Sequence, residues 1–227
     1  MPKILSSLLI YLVLPGIVFS SQLINEKQSN GQNEVSATED LMREHGILNR
    51  LLLIYQEIAR RIENHEPFDV QVLAKSANIV RTFLEDYHEK LEEEFIFPKF
   101  EKSGKLLELV KTLKEQHNSG RNLTNYILSH SKEEYLTDDI QKLLLSDYLR
   151  LYIRMFRPHE AREDTILFPE FKKLLSKEEY DKLGDIFEDR EHELFGEDGF
   201  EKTVKQIEEI EKKLGIYNLN EFTANVK

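Results

Sequence analysis

Four times along the chain an apolar stripe recurs at helical spacing on an otherwise polar segment. Leu41, His45, Leu48, Leu52, Tyr55 and Ile62 form the first stripe. The second opens near Asp69 and carries Leu73, Ala77, Val80, Leu84, His88 and Leu91. The third runs through Leu106, Val110, Leu113, His117, Gly120 and Ile127. The fourth, with Thr137 as its expected N-cap, carries Tyr148, Tyr152, Met155, His159, Glu163 and Ile166. Spacing of three and four residues puts each set on one helix face. Four such helices with short connections predict an all-α, up-down four-helix bundle over residues 37–172.

The pattern changes at both ends. Lys3 precedes the apolar run "ILSSLLIYLVLPGIVFS", which is short for a membrane span and broken by Pro15 and Gly16. Residues 1–20 are therefore expected to be a signal peptide, cleaved between Ser20 and Ser21, with an uncleaved anchor as the alternative. The mature chain is expected to be exported, to the periplasm or the extracellular space, with no membrane contact beyond that segment. Residues 21–36, polar and without periodicity, read as a flexible linker. Ser176 with Glu179 forms a capping box opening a further helix, and Gly196 and Gly199 separate that from a last one. With Leu183, Ile186, Phe187, Leu194, Phe195 and Phe200 as apolar positions, residues 173–227 are expected to be a helical extension packed on the bundle.

Each of the four stripes contains one histidine. A lone histidine on an apolar face is ordinarily a core residue with a hydrogen bond. Four stripes with one apiece, together with buried acids, call for something that coordinates them. An internal repeat sharpens this. "YHEKLEEEFIFPKF" at 87–100 aligns without gaps with "PHEAREDTILFPEF" at 158–171. His88, Glu89, Glu92, Phe97, Pro98 and Phe100 recur as His159, Glu160, Glu163, Phe168, Pro169 and Phe171, an offset of 71, and His45 recurs as His117 at 72. Two related hairpins thus contribute His45, His88, Glu92 and His117, His159, Glu163. Histidine and carboxylate at i and i+4 sit one turn apart on one face, so both reach one centre. The i, i+4 pair alone is weak, since four of the seven histidines have an acid there; the pairs at His65 and His130 are read as chance.

Composition narrows the chemistry. The chain has no cysteine, so nitrogen and oxygen must hold any metal. A net charge of −11 argues against nucleic acid as a partner.

The order H…HxxxE…H…HxxxE, with "EEEFIFP" and "EDTILFP" leaving the second and fourth helices, resembles the hemerythrin family of cation-binding domains. The resemblance covers residues 37–172. It implies two non-haem iron ions held by His45, His88, Glu92, His117, His159 and Glu163, with Glu92 and Glu163 bridging them. The ligand it implies is dioxygen, peroxide or nitric oxide, bound or sensed. The alternatives are an enzyme turning over peroxide or oxidising ferrous iron, or a protein of iron storage or repair. The family's oxygen carriers have a second histidine one turn after the third-helix ligand, where this chain has Arg121, and an export signal is at odds with cytosolic repair. Glu89 and Glu160 are expected to be solvated or to support the ligands, Tyr148 and Tyr152 to pack in the core, and Pro158 either to kink the fourth helix or to be tolerated. His192 is expected at the surface.

Overall fold

The structure, a computed structural model, describes residues 35–224 and 226; the expected signal segment and nearly all of the expected linker lie outside them. Among the described residues there is no strand. Helix α1 is Ala37–Glu63, α2 spans residues 70–103, α3 is Leu107–His130 and α4 spans residues 139–172. Helices α5, Lys177–Phe195, and α6, Gly199–Leu214, follow. None of these helices is long and apolar enough to cross a membrane.

The starts are chemically specified. Ser36, at the end of the expected linker, opens α1 with its N–H donating to Glu39 at 3.1 Å. Asp69 caps α2 by accepting from the Gln71 amide at 2.9 Å. Helix α4 is capped by Asp138, not Thr137: its carboxylate accepts from the Ile140 and Gln141 amides at 2.7 and 3.1 Å, and a carboxylate at that position also meets the positive helix end. Leu106, expected inside the third helix, instead precedes α3 in a left-handed conformation with φ 51°.

The helices run antiparallel. His45 near the start of α1 meets Asp164 near the end of α4, whereas Glu63 at the end of α1 meets Ser146 and Arg150 near the start of α4. Arg81 with Asn125, and Glu93 with His117, show the same for α2 and α3. Between the four helices lies a core that includes Leu51, Tyr55, Ile58, Phe83, Leu113, Leu149, Tyr152 and Phe156. The last two helices pack on the α1–α2 side. Arg50 grips Glu211 at 2.9 and 2.6 Å, the Tyr180 hydroxyl donates to Ser36 at 3.2 Å, and Phe195 packs against Phe83 and Tyr87. Leu194, expected to be apolar packing surface, is 55% exposed; the adjacent Phe195 makes the contact.

Two single turns of wider helix, Glu92–Ile96 in α2 and Glu163–Leu167 in α4, begin at the repeated glutamates. In each, the amide of the following phenylalanine, Phe97 or Phe168, bonds back to the glutamate carbonyl five residues earlier. Pro98 and Pro169 come next, and without an N–H they cannot continue the regular ladder. The extra residue rotates the register. Ile166, expected on the core stripe, is therefore 39% exposed, and Leu167 is buried in its place.

Candidate metal centre

At the end of the bundle where these wide turns lie, the six repeated side chains come together. Glu92 and Glu163 are fully buried, and His45, His88, His117 and His159 are at most 4% exposed. The imidazoles form two pairs: His45 with His88, ring centres 4.8 Å apart, and His117 with His159 at 5.0 Å. The two carboxylates lie between the pairs. Glu163 stands 3.1 Å from His159 Nε2 and 3.4 Å from His45 Nε2. Glu92 stands 3.4 Å from His117 Nε2 and 3.8 Å from His88 Nε2. Each carboxylate thus reaches one imidazole of each pair, so the cluster does not divide cleanly by hairpin.

Every imidazole turns Nε2 inward because its Nδ1 is held from outside. Nδ1–H of His45 donates to Asp164 at 2.7 Å, and that of His88 to Glu44 at 2.6 Å. His117 donates to Glu93 at 3.1 Å and His159 to Gln116 at 2.9 Å. Such bonds fix tautomer and ring orientation and leave four Nε2 lone pairs facing the two glutamates. Phe168 stacks on His45 and Phe97 packs on His117, so the repeated Phe-Pro exits also cover the imidazoles.

Sequence reasoning passed over all four orienting residues, yet a signal was present. Each is the chain neighbour of a repeated residue, and they recur at the same offsets: Glu44 with Gln116, Glu93 with Asp164. A neighbouring position lies about 100° around the helix, so it serves the imidazole of the adjacent helix and not its own.

Glu89 and Glu160 are buried, not solvated. Arg121 lies 2.7 Å from both Glu89 and Glu93, and the Asn49 amide donates to Glu160 at 2.7 Å. Tyr152 is buried against Tyr55 and Phe156, and Tyr148 stacks on Tyr126. Helix α4 runs through Pro158 without a break. His65 and His192 are exposed, and His130 stacks between Tyr126 and Tyr135, so none of the three joins the cluster.

The electrostatics of the bare cluster are uneven. Burial, and then the facing Glu163 carboxylate, push the Glu92 carboxyl well above its ordinary range. Burial also pushes Glu163 up, but the His159 and His45 imidazoles outweigh it and hold that carboxyl low. Burial lowers His88 to about 3 and His117 to about 4. Burial opposes protonation of His45 too, yet Asp164 and Glu163 raise it to about 10. Both oxygens of Glu92 and of Glu163, and His117 Nε2, lack a hydrogen-bond partner. Orphaned buried acceptors are costly, and four imidazoles with two carboxylates are the donor types that borderline divalent metals take. Glu92, His117, His159 and Glu163 each present one ligand atom within 4.8 Å of the others, as do His45, His88 and Glu92. These residues fit metal ions.

A helical bundle with a buried imidazole–carboxylate cluster able to hold metal is the class that fold and site define. The family model of the hemerythrin HHE cation binding domain matches residues 36–135, which takes in His45, His88, Glu92 and His117 and stops before His159 and Glu163. Over 191 residues the chain is 46% identical to an uncharacterized protein of Mycobacterium tuberculosis (strain ATCC 25618 / H37Rv), spanning 84% of this chain and 75% of that one. An uncharacterized protein of Mycobacterium bovis matches to the same extent. No solved structure gives a significant match. The chain belongs to the hemerythrin HHE cation-binding domain family.

Proposed function

We propose that the cluster is a non-haem di-iron centre, with His45, His88, His117 and His159 as terminal ligands and Glu92 and Glu163 as bridges. The chain uses it to bind or sense dioxygen, peroxide or nitric oxide after export to the periplasm or the extracellular space. The observation that carries this reading is the pair of buried carboxylates, each reaching an imidazole of both pairs while its oxygens lack hydrogen-bond partners. A carboxylate in that position would be shared between two ions. When bound, the irons supply an open coordination position and a change of oxidation state.

The protein's own part is orientation and exclusion. Asp164, Glu44, Glu93 and Gln116 hold the imidazoles, while Phe97 and Phe168, at the same end of the bundle, cover two of them. Arg121 supplies positive charge beside Glu89 and Glu93, so these acids do not add uncompensated negative charge next to the cluster. Export rests on the apolar run ahead of Ser21 alone.

The test is iron content and the ultraviolet–visible spectrum of the chain from Ser21 onward, reduced and then exposed to each small molecule. About two irons per chain, with a charge-transfer band that dioxygen restores reversibly, is the expected result. Repeated consumption of peroxide would replace binding by turnover. Zinc, or no metal at all, would end the di-iron reading. Export is tested separately, by fractionating cells that produce the full chain: retention in the cytosol would remove that part.

A further inference from the structure

Helix α4 carries a second pattern, on the side turned away from the core. Ile140, Asp147, Arg154 and Ala161 follow one another at intervals of seven, and Leu144, Leu151 and Pro158 do the same four residues further on. Steps of four and three in alternation are the seam of two helices packed along each other. The bundle does not use this seam, since it takes Leu149, Tyr152 and Phe156 from the opposite face of α4. Ile140 is 73% exposed, Leu144 40%, Leu151 50%, and Leu143, at the edge of the seam, 49%. Single exposed leucines are ordinary on a protein surface, but four large apolar side chains along one stripe form a patch. Helices α5 and α6 pack on the α1–α2 side and leave it open.

The two charged residues of the seam indicate what covers it. Asp147 and Arg154 make no ion pair among the described residues. Arg150, whose charge Asp147 feels, is engaged by Glu63. Asp147 and Arg154 lie equally far from the point midway between Arg150 and Leu151. A second copy laid antiparallel about a two-fold axis at that point therefore sets Asp147 against Arg154 of the partner subunit, and does so twice. The same register sets Ile140 against Ala161 of the partner subunit and Leu143 against Pro158 of the partner subunit. A parallel copy would instead put like charge on like charge at both positions.

We propose that two copies of this chain pair antiparallel along the exposed face of α4, burying its leucines and closing two Asp147–Arg154 ion pairs across a two-fold axis. The leucines supply the burial, and the charges, which cost some stability in an apolar seam, fix register and direction. The pairing has a consequence for the His/Glu clusters. Helix α4 carries His159 and Glu163 toward one end, so the two-fold places the clusters at opposite ends of the pair, roughly 25 Å apart along the helix axis. The interface itself needs no metal and stands whether or not the clusters hold iron.

The test is the oligomeric state of the full chain. Sedimentation velocity is expected to give twice the mass of one chain. Asp147→Arg and Arg154→Asp should each give a monomer, because each sets like charges against one another, and the variant carrying both changes should recover the dimer. These positions lie outside the core, so circular dichroism should show the same helix content in all three. A second measurement does not depend on charge. The chain has no cysteine, so oxidation of Leu151→Cys should link two chains through a disulfide close to the two-fold. Leu194→Cys, equally exposed but on α5, should stay unlinked. A wild-type monomer at every concentration would mean that residues 1–34 of the same chain, or another protein, covers the face, and would overturn the pairing. Single variants that stay dimeric, a double variant that does not recover, or equal linking of both cysteine variants would overturn it too.

Discussion

The hairpin of α1 and α2 and the hairpin of α3 and α4 contribute the same three side chains to the cluster, at offsets of 71 and 72, yet the residues behind them differ. Glu44 on α1 corresponds to Gln116 on α3, so His88 leans on a carboxylate and His159 on an amide. Arg121 on α3 corresponds to Asn49 on α1, so Glu89 faces a guanidinium and its counterpart Glu160 a neutral amide. Further along, Arg81 and Glu85 of α2 pair with each other where α4 has Tyr152 and Phe156 stacked. The inner ring tolerates no such drift, because each carboxylate serves imidazoles of both halves. The outer residues each answer to one partner and are free to diverge, and so the two halves of one centre sit in different fields.

The sharing of carboxylates predicts the largest effect. If Glu92 and Glu163 each serve both imidazole pairs, Glu92→Ala and Glu163→Ala should each remove both ions, not one. Loss of an outer partner alone costs about 10–100-fold in metal affinity, so loss of a shared ligand should exceed about a hundredfold. Metal counts after dialysis against a chelator check this. A variant that retains one tightly held ion would show that the halves act independently.

Next in size is the contrast between Arg121 and Asn49. Arg121→Met strands Glu89, which is 2% exposed, beside Glu93. Losing a charged hydrogen-bond donor costs about 1.5–3 kcal/mol. Asn49→Ala takes one neutral donor from Glu160 and should cost about 1 kcal/mol. Urea unfolding of the metal-free variants measures both, and equal costs would erase the distinction between the halves.

The halves also differ in where the bare protein keeps its protons. Burial first, then neighbouring acids, raises Asp40 to about 7, and burial raises Glu44 to about 8. Glu92 is raised as well, and His45 reaches about 10. All four belong to the first hairpin. A folded pKa above the unfolded one gives stability that is complete below the unfolded value and lost as pH climbs through the folded value. His88 and His117 are shifted the other way; their contribution is lost only as pH falls below about 6.5 toward 3 and 4, and is constant above it. From pH 6.5 to 8 the metal-free chain should therefore lose stability, by up to about 1.4 kcal/mol per pH unit for each group still holding its proton. Metal uptake displaces those protons, so affinity should rise over the same interval. Calorimetric melting at successive pH values, with and without metal, tests both signs; a metal-free melting temperature that rises from pH 6.5 to 8 would refute the assignment.

Much of this was legible in the sequence because it repeats. The four stripes gave the helices; the 71-residue echo picked out His88, Glu92, His159 and Glu163, and the match of His45 to His117 at 72 completed the six residues that converge. What escaped is what acts across helices. Glu44, Glu93, Gln116 and Asp164 sit beside repeated residues but point to another helix, and in an acid-rich chain a neighbouring glutamate carries no mark of that role. Ile166 was misplaced because a wide turn breaks the period on which a stripe depends, although the Phe-Pro pair after each glutamate was its visible cause. Thr137 lost to Asp138 because two adjacent residues both make acceptable caps, and only the backbone decides between them.

The smallest effect separates α1 from α3 by the sign of a single methyl group. Gly46 follows His45 on the exposed face of α1, and a Cβ there would meet nothing within 4 Å. Gly46→Ala should therefore gain stability, up to about 1 kcal/mol, from helix propensity alone. Gly120 lies on the buried face of α3, where a Cβ would stand 2.7 and 2.8 Å from the Phe156 ring. That ring is stacked on Tyr152 at 4.3 Å and packed on His159 at 5.1 Å, so it has little room to withdraw. Overpacking of this kind costs about 1–3 kcal/mol, which outweighs the propensity gain and leaves Gly120→Ala about 1 kcal/mol less stable than the wild type. Because the displaced ring rests on His159, the same change should weaken metal binding, whereas Gly46→Ala should not. If both alanines raise the melting temperature, Phe156 moves freely, and the aromatic packing of the second half does not hold His159 in place.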